Sequence, residues 1–554
     1  MHDDAHATLI RALQNPMLYD HPVKDFQLVE THISSVLLTG DYAYKLKKPL
    51  DLGFLDFSTL EKRRHFCHEE LRLNRRLAPQ LYLDVIAVTG SPPAPQLNGA
   101  GAPFEYMVKM RQFPQSAQLD RVLARGELAP RHIDQLAQTL ADFHAHIAVA
   151  GAGTPFGTPA AAYFPIGQNF DQIRPLISPV FHPQLARLQA WSEQTRDALW
   201  DFLASRKRDG FIRECHGDVH LGNMALLDDK VVLFDCLEFN DNLRWIDMMN
   251  EVAFTVMDLE VAGGASLPRD PRLGPIGDDR GQQVFARRFL NAYLEHSGDY
   301  EGLTLLRFYQ VYRALVRAKV SVIRLSQPGL SRAERDQIES KYRGYADLAE
   351  RYTRTPAPAL IITHGLSGTG KSTVTQSLVE HVDAIRVRSD VERKRLHGLT
   401  AGERSGSELN AGLYTADAGQ RTYAHLAGLA RTLLAAGHTA VIDATFLRRA
   451  QRDRLRTLAA ELGVPFVILA IEASEETLRR RVIERERAAR DASEAGLAVL
   501  AQQRAGAEPL GTDELALALA IDGNRPPAGP ELGELLLRRL AAAGAVLPGS
   551  ITQH

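Results

Sequence analysis

The run Gly365-Leu366-Ser367-Gly368-Thr369-Gly370-Lys371-Ser372 constrains this chain more than any other feature. It follows the apolar stretch Ala359-Leu360-Ile361-Ile362-Thr363 and opens a segment with Val374, Leu378 and Val379 at helical spacing. GxxxxGKS between a strand and a helix is a phosphate cradle, so a parallel α/β sheet must be built around it. Its glycines let backbone N–H groups wrap phosphate oxygens, and the helix N-terminus adds its dipole. Gly365, Ser367, Gly368, Thr369, Gly370 and Thr373 are assigned to the cradle. Lys371 is assigned to the β- and γ-phosphates, and Ser372 to Mg²⁺. Lys371 and Lys394 are the only lysines after residue 355, the other cations there being arginine. A compact ammonium is what the cradle needs. Asp443 ends the apolar run Ala440-Val441-Ile442 and is the candidate second Mg²⁺ partner, or else a structural strand-end aspartate.

At 554 residues the chain has room for several compact units, and 45% hydrophobic with 24% charged residues is ordinary globular usage. Lys+Arg 65 against Asp+Glu 67 gives a net charge of -2, so no global pull toward nucleic acid or anionic membrane is built in. Cys67, Cys215 and Cys236 fit neither a disulfide framework nor a metal cage. The N-terminus lacks a basic and an apolar targeting region, and no apolar run approaches a membrane span. The expectation is a cytoplasmic protein without a membrane partner.

Thr353-Arg354-Thr355-Pro356-Ala357-Pro358 reads as a linker. It predicts a first domain over 1–352, with a small lobe over about 25–110 and a larger one over 111–352, and a second domain over 359–554. Ser91 to Pro103 and Gly263 to Asp279 read as loops. Ser35–Leu38 and Tyr42–Lys47 read as a hairpin, 58–78 as a helix with Ser58 as N-cap and Glu61 three positions on, and Gln135–His146 as another. Beyond Asp247 the pattern is largely helical to about Tyr352.

His216-Gly217-Asp218-Val219-His220-Leu221-Gly222-Asn223, followed by Val231-Val232-Leu233-Phe234-Asp235, sets two carboxylates and an amide around a hairpin. Such a set suits phosphoryl transfer: Asp218 orients an acceptor hydroxyl and takes its proton, while Asn223 and Asp235 hold Mg²⁺. Here the sequence resembles the aminoglycoside phosphotransferase and choline kinase family, relatives of protein kinases, over roughly residues 30 to 325. The resemblance implies an α+β bilobal kinase-like fold. Ala43-Tyr44-Lys45 stands where kinases carry Ala-x-Lys, which implies Lys45 as the phosphate-binding lysine; Lys47 shares its face, leaving the register open by one pleat. The partner glutamate is Glu69 or Glu70, with Glu70 preferred on the face of Phe66, Leu73 and Leu77. Arg244 and Asp247 resemble the segment that braces the catalytic loop. No acceptor-binding signature stands between Ala148 and Arg213.

Ser389-Asp390-Val391-Glu392-Arg393 lies between the phosphate cradle and Asp443. The region resembles small P-loop kinases such as gluconate kinase, the zeta-toxin kinases and polynucleotide kinase. That resemblance implies that Asp390 orients or deprotonates a hydroxyl and that Arg393 binds acceptor or phosphate; Asp390 also suits a helix N-cap, and the two roles can coexist. Leu478 to Arg490 carries six arginines and two glutamates. By the same resemblance it is a lid, with Arg481 and Arg485, four apart on one face, over the transferring group; a solvated helix with ion pairs is the alternative.

The resulting expectation is an α+β bilobal kinase-like domain followed by an α/β parallel-sheet P-loop domain. It would be a transferase with two ATP and Mg²⁺ sites acting on hydroxyls of small molecules. Two other readings stand beside it. One domain could be a nucleotide-binding regulator, or the P-loop domain could phosphorylate a sugar nucleotide or a polynucleotide end, the last weakened by its lack of basic surplus.

Overall fold

A computed structural model describes residues 2–53, 55–262, 283–326, 329–403, 415–488 and 495–542. The loop expected from Gly263 to Asp279 lies outside the described residues, as do Arg490 and the end of the expected lid. By packing, the chain divides into Met1–Gln135 with Phe143–Asp258, and Leu136–Asp142 with Leu259–His554. This division does not follow the proline-rich linker: helices Val284–Ser297, Leu303–Ile323 and Arg332–Tyr352 belong to the second unit.

The first unit carries an antiparallel sheet of β1 (Gln27–Glu30), β2 (Ser34–Leu38), β3 (Tyr42–Lys47), β4 (Tyr82–Ser91), β5 (Ala94–Leu97) and β6 (Glu105–Arg111), in the order β1-β2-β3-β6-β4-β5. Period-two alternation sorts its faces. Tyr44, Leu46 and Met107 join Leu9 and Ile10 of the helix His2–Ala12, and Leu13 just after it, in one core. Val108 and Tyr82 join Cys67 and Leu71 of the helix Leu60–Asn74 in another, on the face that Lys45 and Lys47 share. That helix starts later than expected. Thr59, not Ser58, is its N-cap, its side chain accepting from the Lys62 N–H, and Ser58 is bound instead to Asp56. The stretch expected as a loop from Ser91 to Pro103 also contains a strand. Pro92-Pro93 turns β4 into β5, with Gly90 opposite Pro95 and Ser91 opposite Ala94. Pro95 is tolerated because β5 is the sheet's outer strand and its missing donor costs no ladder bond.

Short strands frame the loop over 216–223: β7 (Ile212–Glu214), β8 (Met224–Leu227), β9 (Lys230–Leu233) and β10 (Trp245–Asp247), with β8 antiparallel to β9 and β7 to β10. The expected helix at Gln135–His146 begins earlier, at Pro130, where proline's fixed φ suits the first turn.

The second unit carries a parallel sheet of β11 (Leu360–His364), β12 (Ala384–Arg388), β13 (Thr439–Asp443), β14 (Phe466–Glu472) and β15 (Ala518–Asp522), ordered β12-β13-β11-β14-β15. Near-continuous burial of β11, β13 and β14 explains their unbroken apolar runs. Val374, Leu378 and Val379 of the helix Lys371–His381 and Leu532, Leu536 and Leu540 of the helix Gly529–Ala542 pack with Ile361, Val441 and Leu469 in one cluster. No described helix is long and apolar enough to cross a membrane.

Candidate functional site

In the first unit, β3 delivers Lys45 to Asp235, with Nζ to Oδ1 at 2.6 Å and to Glu70 Oε1 at 2.8 Å. Lys47 lies two residues on, on the same face, and pairs with Glu70 Oε2 at 2.7 Å and with Glu238. Of the two lysines, Lys45 is the one placed on Asp235. Glu69 turns to Arg72 instead, at 2.8 Å. Burial alone would raise the Glu70 carboxyl, but Lys45 and Lys47 outweigh it and hold it down to about 2. Glu238, which the sequence did not single out, is pushed up by burial despite Lys47.

Asp235 sits in the left-handed region at φ 64, a cost of about 1 kcal/mol or more for a non-glycine residue. Its N–H donates to the Tyr82 hydroxyl at 3.1 Å, and its side chain is 41% exposed, so an oxygen remains for a cation. Asn223 Nδ2 donates to both the Asp218 carbonyl (3.0 Å) and carboxylate (2.9 Å), which orients the amide and leaves Oδ1 for a cation. Carboxylate and amide oxygens are the donor set a hard divalent ion prefers. His220 Nε2 stands 3.5 Å from the Asp218 carboxylate while its Nδ1 accepts from the Gly222 N–H, the arrangement of a loop-bracing residue.

Three side chains that sequence reasoning missed hold this loop from one helix, Met248–Glu260. Glu251 accepts from the N–H groups of His216 (3.2 Å) and Gly217 (2.5 Å) and from His144 Nε2 (2.9 Å). Thr255 donates to the Val219 carbonyl, and Asp258 accepts from the Leu221 N–H. Spacings of four and three residues put them on one face. The available signal was polar residues recurring at helical spacing in an otherwise apolar run. Gly217 holds a left-handed φ of 90, which strains any other residue, and a Cβ there would press on the Leu243 carbonyl at 3.0 Å. His216 accepts the Asp218 N–H at Nδ1 and donates from Nε2 to the Phe234 carbonyl, tying the loop to the approach of Asp235. Burial holds its pKa low, so the imidazole is neutral. Arg244 donates to the Glu238 carbonyl and pairs with Glu214, and Asp247 is forked by Arg206, both in bracing positions.

In the second unit, Gly365, Gly368 and Gly370 have φ of 152, 89 and 97. A Cβ on Gly365 would lie 2.4 Å from the Ile471 carbonyl, so the loop rests directly on β14. Ser367 and Thr369 are buried; the Ser367 N–H donates to Gln503 and Thr369 Oγ1 to the Leu366 carbonyl. Lys371 Nζ donates to the Gly365 and Leu366 carbonyls at 3.0 and 2.8 Å. Burial lowers its pKa to about 8, against the pull of Asp443 and Asp390. Asp443 ends β13 and accepts from Thr375 Oγ1 at 3.1 Å, one turn beyond Ser372, whereas Thr373 is exposed.

Asp390 lies inside the first turn of the helix Ser389–Leu396, whose N-cap is Arg388, so it is not the cap. Its Oδ1 accepts from Arg393 Nη1 at 3.0 Å. The expected lid helix is present as Glu475–Ala488. Arg481 donates to the carbonyls of Gly368, Thr369 and Gly523 at 3.3, 3.2 and 2.9 Å, which makes it a clamp on the cradle. Arg485 donates to the Ala495 carbonyl and contributes to lowering the Lys371 pKa. Gly523 closes the clamp: a Cβ there would lie 2.2 Å from the Thr369 carbonyl and 2.9 Å from that of Glu472. Gly523→Ala is therefore expected to displace the cradle and weaken ATP binding at this site at least tenfold, with little change in the first unit. ATP titration with site-resolved amide exchange checks this, and unchanged protection at residues 365–376 would refute it.

A kinase-like loop over 216–223 and a phosphate cradle on a parallel sheet define a two-domain protein of kinase-like construction. Residues 57–309 match the model of the Phosphotransferase enzyme family, and residues 360–510 match that of an AAA domain. Uncharacterized proteins of Mycobacterium tuberculosis and Mycobacterium bovis are 30% identical over 491 residues, covering 88% of this chain and 92% of theirs. The chain belongs to the family of these mycobacterial proteins, and in it the phosphotransferase match precedes the P-loop match. Among solved structures, a choline/ethanolamine kinase family protein from Mesorhizobium loti is 12% identical and covers 64% of this chain and 98% of its own, with a TM-score of 0.37. A gluconokinase from Sinorhizobium meliloti is 22% identical and covers 34% of this chain and 95% of its own, with a TM-score of 0.25.

Proposed function

We propose that this protein is an ATP- and Mg²⁺-dependent phosphotransferase with two nucleotide sites, each passing the γ-phosphoryl group to a hydroxyl of a small molecule. The observation that carries the reading is the convergence of Lys45, Glu70 and Asp235 within ion-pair distance, beside a loop where Asn223 holds Asp218. At the first site Asp235 and Asn223 would hold Mg²⁺, which neutralises phosphate charge when bound. Lys45, kept fully charged because Asp235 and Glu70 outweigh its burial, orients the phosphates. Asp218 accepts the proton of the acceptor hydroxyl as its oxygen forms the new P–O bond and the bond from the γ-phosphorus to the β-bridging oxygen breaks.

At the second site Lys371 exchanges its two loop carbonyls for phosphate oxygens, Ser372 and Asp443 would hold Mg²⁺, and Asp390 takes the acceptor proton beside Arg393. Arg485, whose charge helps lower the Lys371 pKa, would meet charge on the transferring group, while Arg481 holds the loop. The cytoplasm, where ATP is abundant, is the compartment this chemistry suits.

The test is acceptor-dependent ADP release, with mass analysis of the acceptor, across sugars, amino alcohols and nucleosides for wild type, Asp218→Ala and Lys371→Ala. The expected result is that each variant loses a different acceptor. If both variants keep every acceptor-stimulated rate, the proposal is wrong; if one variant alone loses turnover, only that site transfers phosphate.

A further inference from the structure

The helix Val284–Ser297 lies within the stretch 57–309 that matches the phosphotransferase family, yet it packs in the unit of the phosphate cradle. Its contacts there are specific. β12 is the outer strand of the parallel sheet, with an unpaired edge. Asn291, buried on this helix, donates from Nδ2 to the Ala384 carbonyl at 3.1 Å and accepts the Arg386 N–H at Oδ1, 2.8 Å. One side-chain amide thus satisfies alternate backbone groups of β12 as a neighbouring strand would.

One turn further on, Glu295 forks two arginines of the same strand. Its Oε2 accepts from Arg386 Nη2 at 3.1 Å and its Oε1 from Arg388 Nη1 at 2.9 Å. Arg386 also donates from Nη1 to the carbonyl of Ser372, in the first turn of the cradle helix, at 3.2 Å. Arg388 is the N-cap residue of the helix that carries Asp390 and Arg393. That second helix is tied back again: Arg395 donates to the Glu295 carbonyl, and buried Glu392 accepts from the Tyr300 hydroxyl at 3.4 Å. Gly298, at φ 74, ends the Val284–Ser297 helix where a Cβ would meet Arg395 Nε at 2.8 Å.

We propose that Glu295 is a positioning residue of the phosphate-cradle site, setting Ser372 through Arg386 and the Asp390 helix through Arg388. The inference rests on the nucleotide reading of that site. Glu295 is not among the residues proposed to hold phosphate or metal; through its two arginines it fixes how far the Ser372 hydroxyl stands from the Asp390 carboxylate. Burial would raise its carboxyl, and the two arginines outweigh that and keep it ionised. Neutralising it leaves Arg386, 8% exposed, as a buried cation without its counter-charge.

The test uses the full chain and amide exchange resolved by peptide, so the two nucleotide sites report separately. Wild type, Glu295→Gln and Glu295→Gln/Arg386→Met are compared without nucleotide, then with ATP while Mg²⁺ is titrated. Expected for Glu295→Gln is faster exchange at 372–376 and 390–396 without nucleotide. With ATP, the Mg²⁺ midpoint for protection of 365–376 should rise about tenfold, the scale on which a metal site responds to loss of an outer support. The double variant should recover part of the exchange protection. Unchanged exchange in those two segments overturns the proposal. So does faster exchange with an unmoved Mg²⁺ midpoint, which would make Glu295 a purely structural contact. Should ATP protect nothing at 365–376 in wild type, the nucleotide reading fails there, and the nucleotide-free comparison alone decides whether Glu295 positions the two helices.

Discussion

Asp218→Asn is expected to lower phosphoryl transfer at the first site by about 10³-fold while leaving ATP affinity there within about twofold. The substitution keeps the shape of the side chain and an oxygen for the Asn223 amide, which now donates to it at 2.9 Å. What it removes is the basic carboxylate for the acceptor proton. On the proposed reading ATP is held elsewhere, by Lys45 and, through Mg²⁺, by Asp235, which pair with each other at 2.6 Å. The loss therefore falls on kcat, with little change in KM for ATP. Steady-state rates with an acceptor identified for the first site decide the matter. A tenfold rise in KM for ATP with kcat intact would move Asp218 from proton transfer to nucleotide binding.

Arg452→Met is expected to destabilise the P-loop unit by about 3–5 kcal/mol, because it strands a buried carboxylate. Arg452 is 1% exposed and lies in the helix Arg449–Glu461. It forks Glu514, itself 1% exposed, through Nε at 2.6 Å and Nη2 at 3.0 Å, and its remaining donors reach the carbonyls of Phe446, Glu508 and Pro509. Phe446 holds a left-handed backbone at φ 45 three residues after Asp443, and its carbonyl also meets His364 Nδ1 at 3.1 Å. Arg452 thus secures the turn after the metal-side strand, so fold stability and site geometry depend on the same guanidinium. For a unit of this size the loss corresponds to a fall of on the order of 10 °C in its unfolding midpoint. Arg452→Met/Glu514→Gln should regain a good part of it, since no uncompensated charge remains. Differential scanning calorimetry of the three proteins measures this, and a midpoint for Arg452→Met within a degree of wild type would refute it.

Both candidate centres could be picked out in the sequence because each rests on a local motif. The cradle from Gly365 to Ser372 and the loop from His216 to Asn223 hold their chemistry within eight residues, where spacing alone carries geometry. Period-two alternation put Lys45 and Lys47 on one face, but no local rule could say which would meet Asp235, a residue 190 positions away. The Glu69 and Glu70 alternative likewise turned on a distant group, Glu214, which with neighbouring Arg72 draws Glu69 into a separate cluster. Arg481 has the spacing of a lid arginine, and only the fold shows its donors committed to loop carbonyls. Glu251, Glu238 and Glu295 escaped notice for a common reason: a buried carboxylate is identified by what surrounds it, and its surroundings come from elsewhere in the chain. The proline-rich linker was visible, but composition cannot reveal that helices on its N-terminal side pack with the parallel sheet on its C-terminal side.

The Asn291 amide lying along β12 bears on how such a gene can be divided. Recombination at the proline-rich linker would pass on a cradle, a metal-side strand and an arginine clamp, yet leave the Ala384 carbonyl and the Arg386 N–H bare on an open edge. Descendants of that exchange would carry a strand prone to pair with its copies. A division of the gene upstream of Val284 would instead keep Asn291 with the strand it covers.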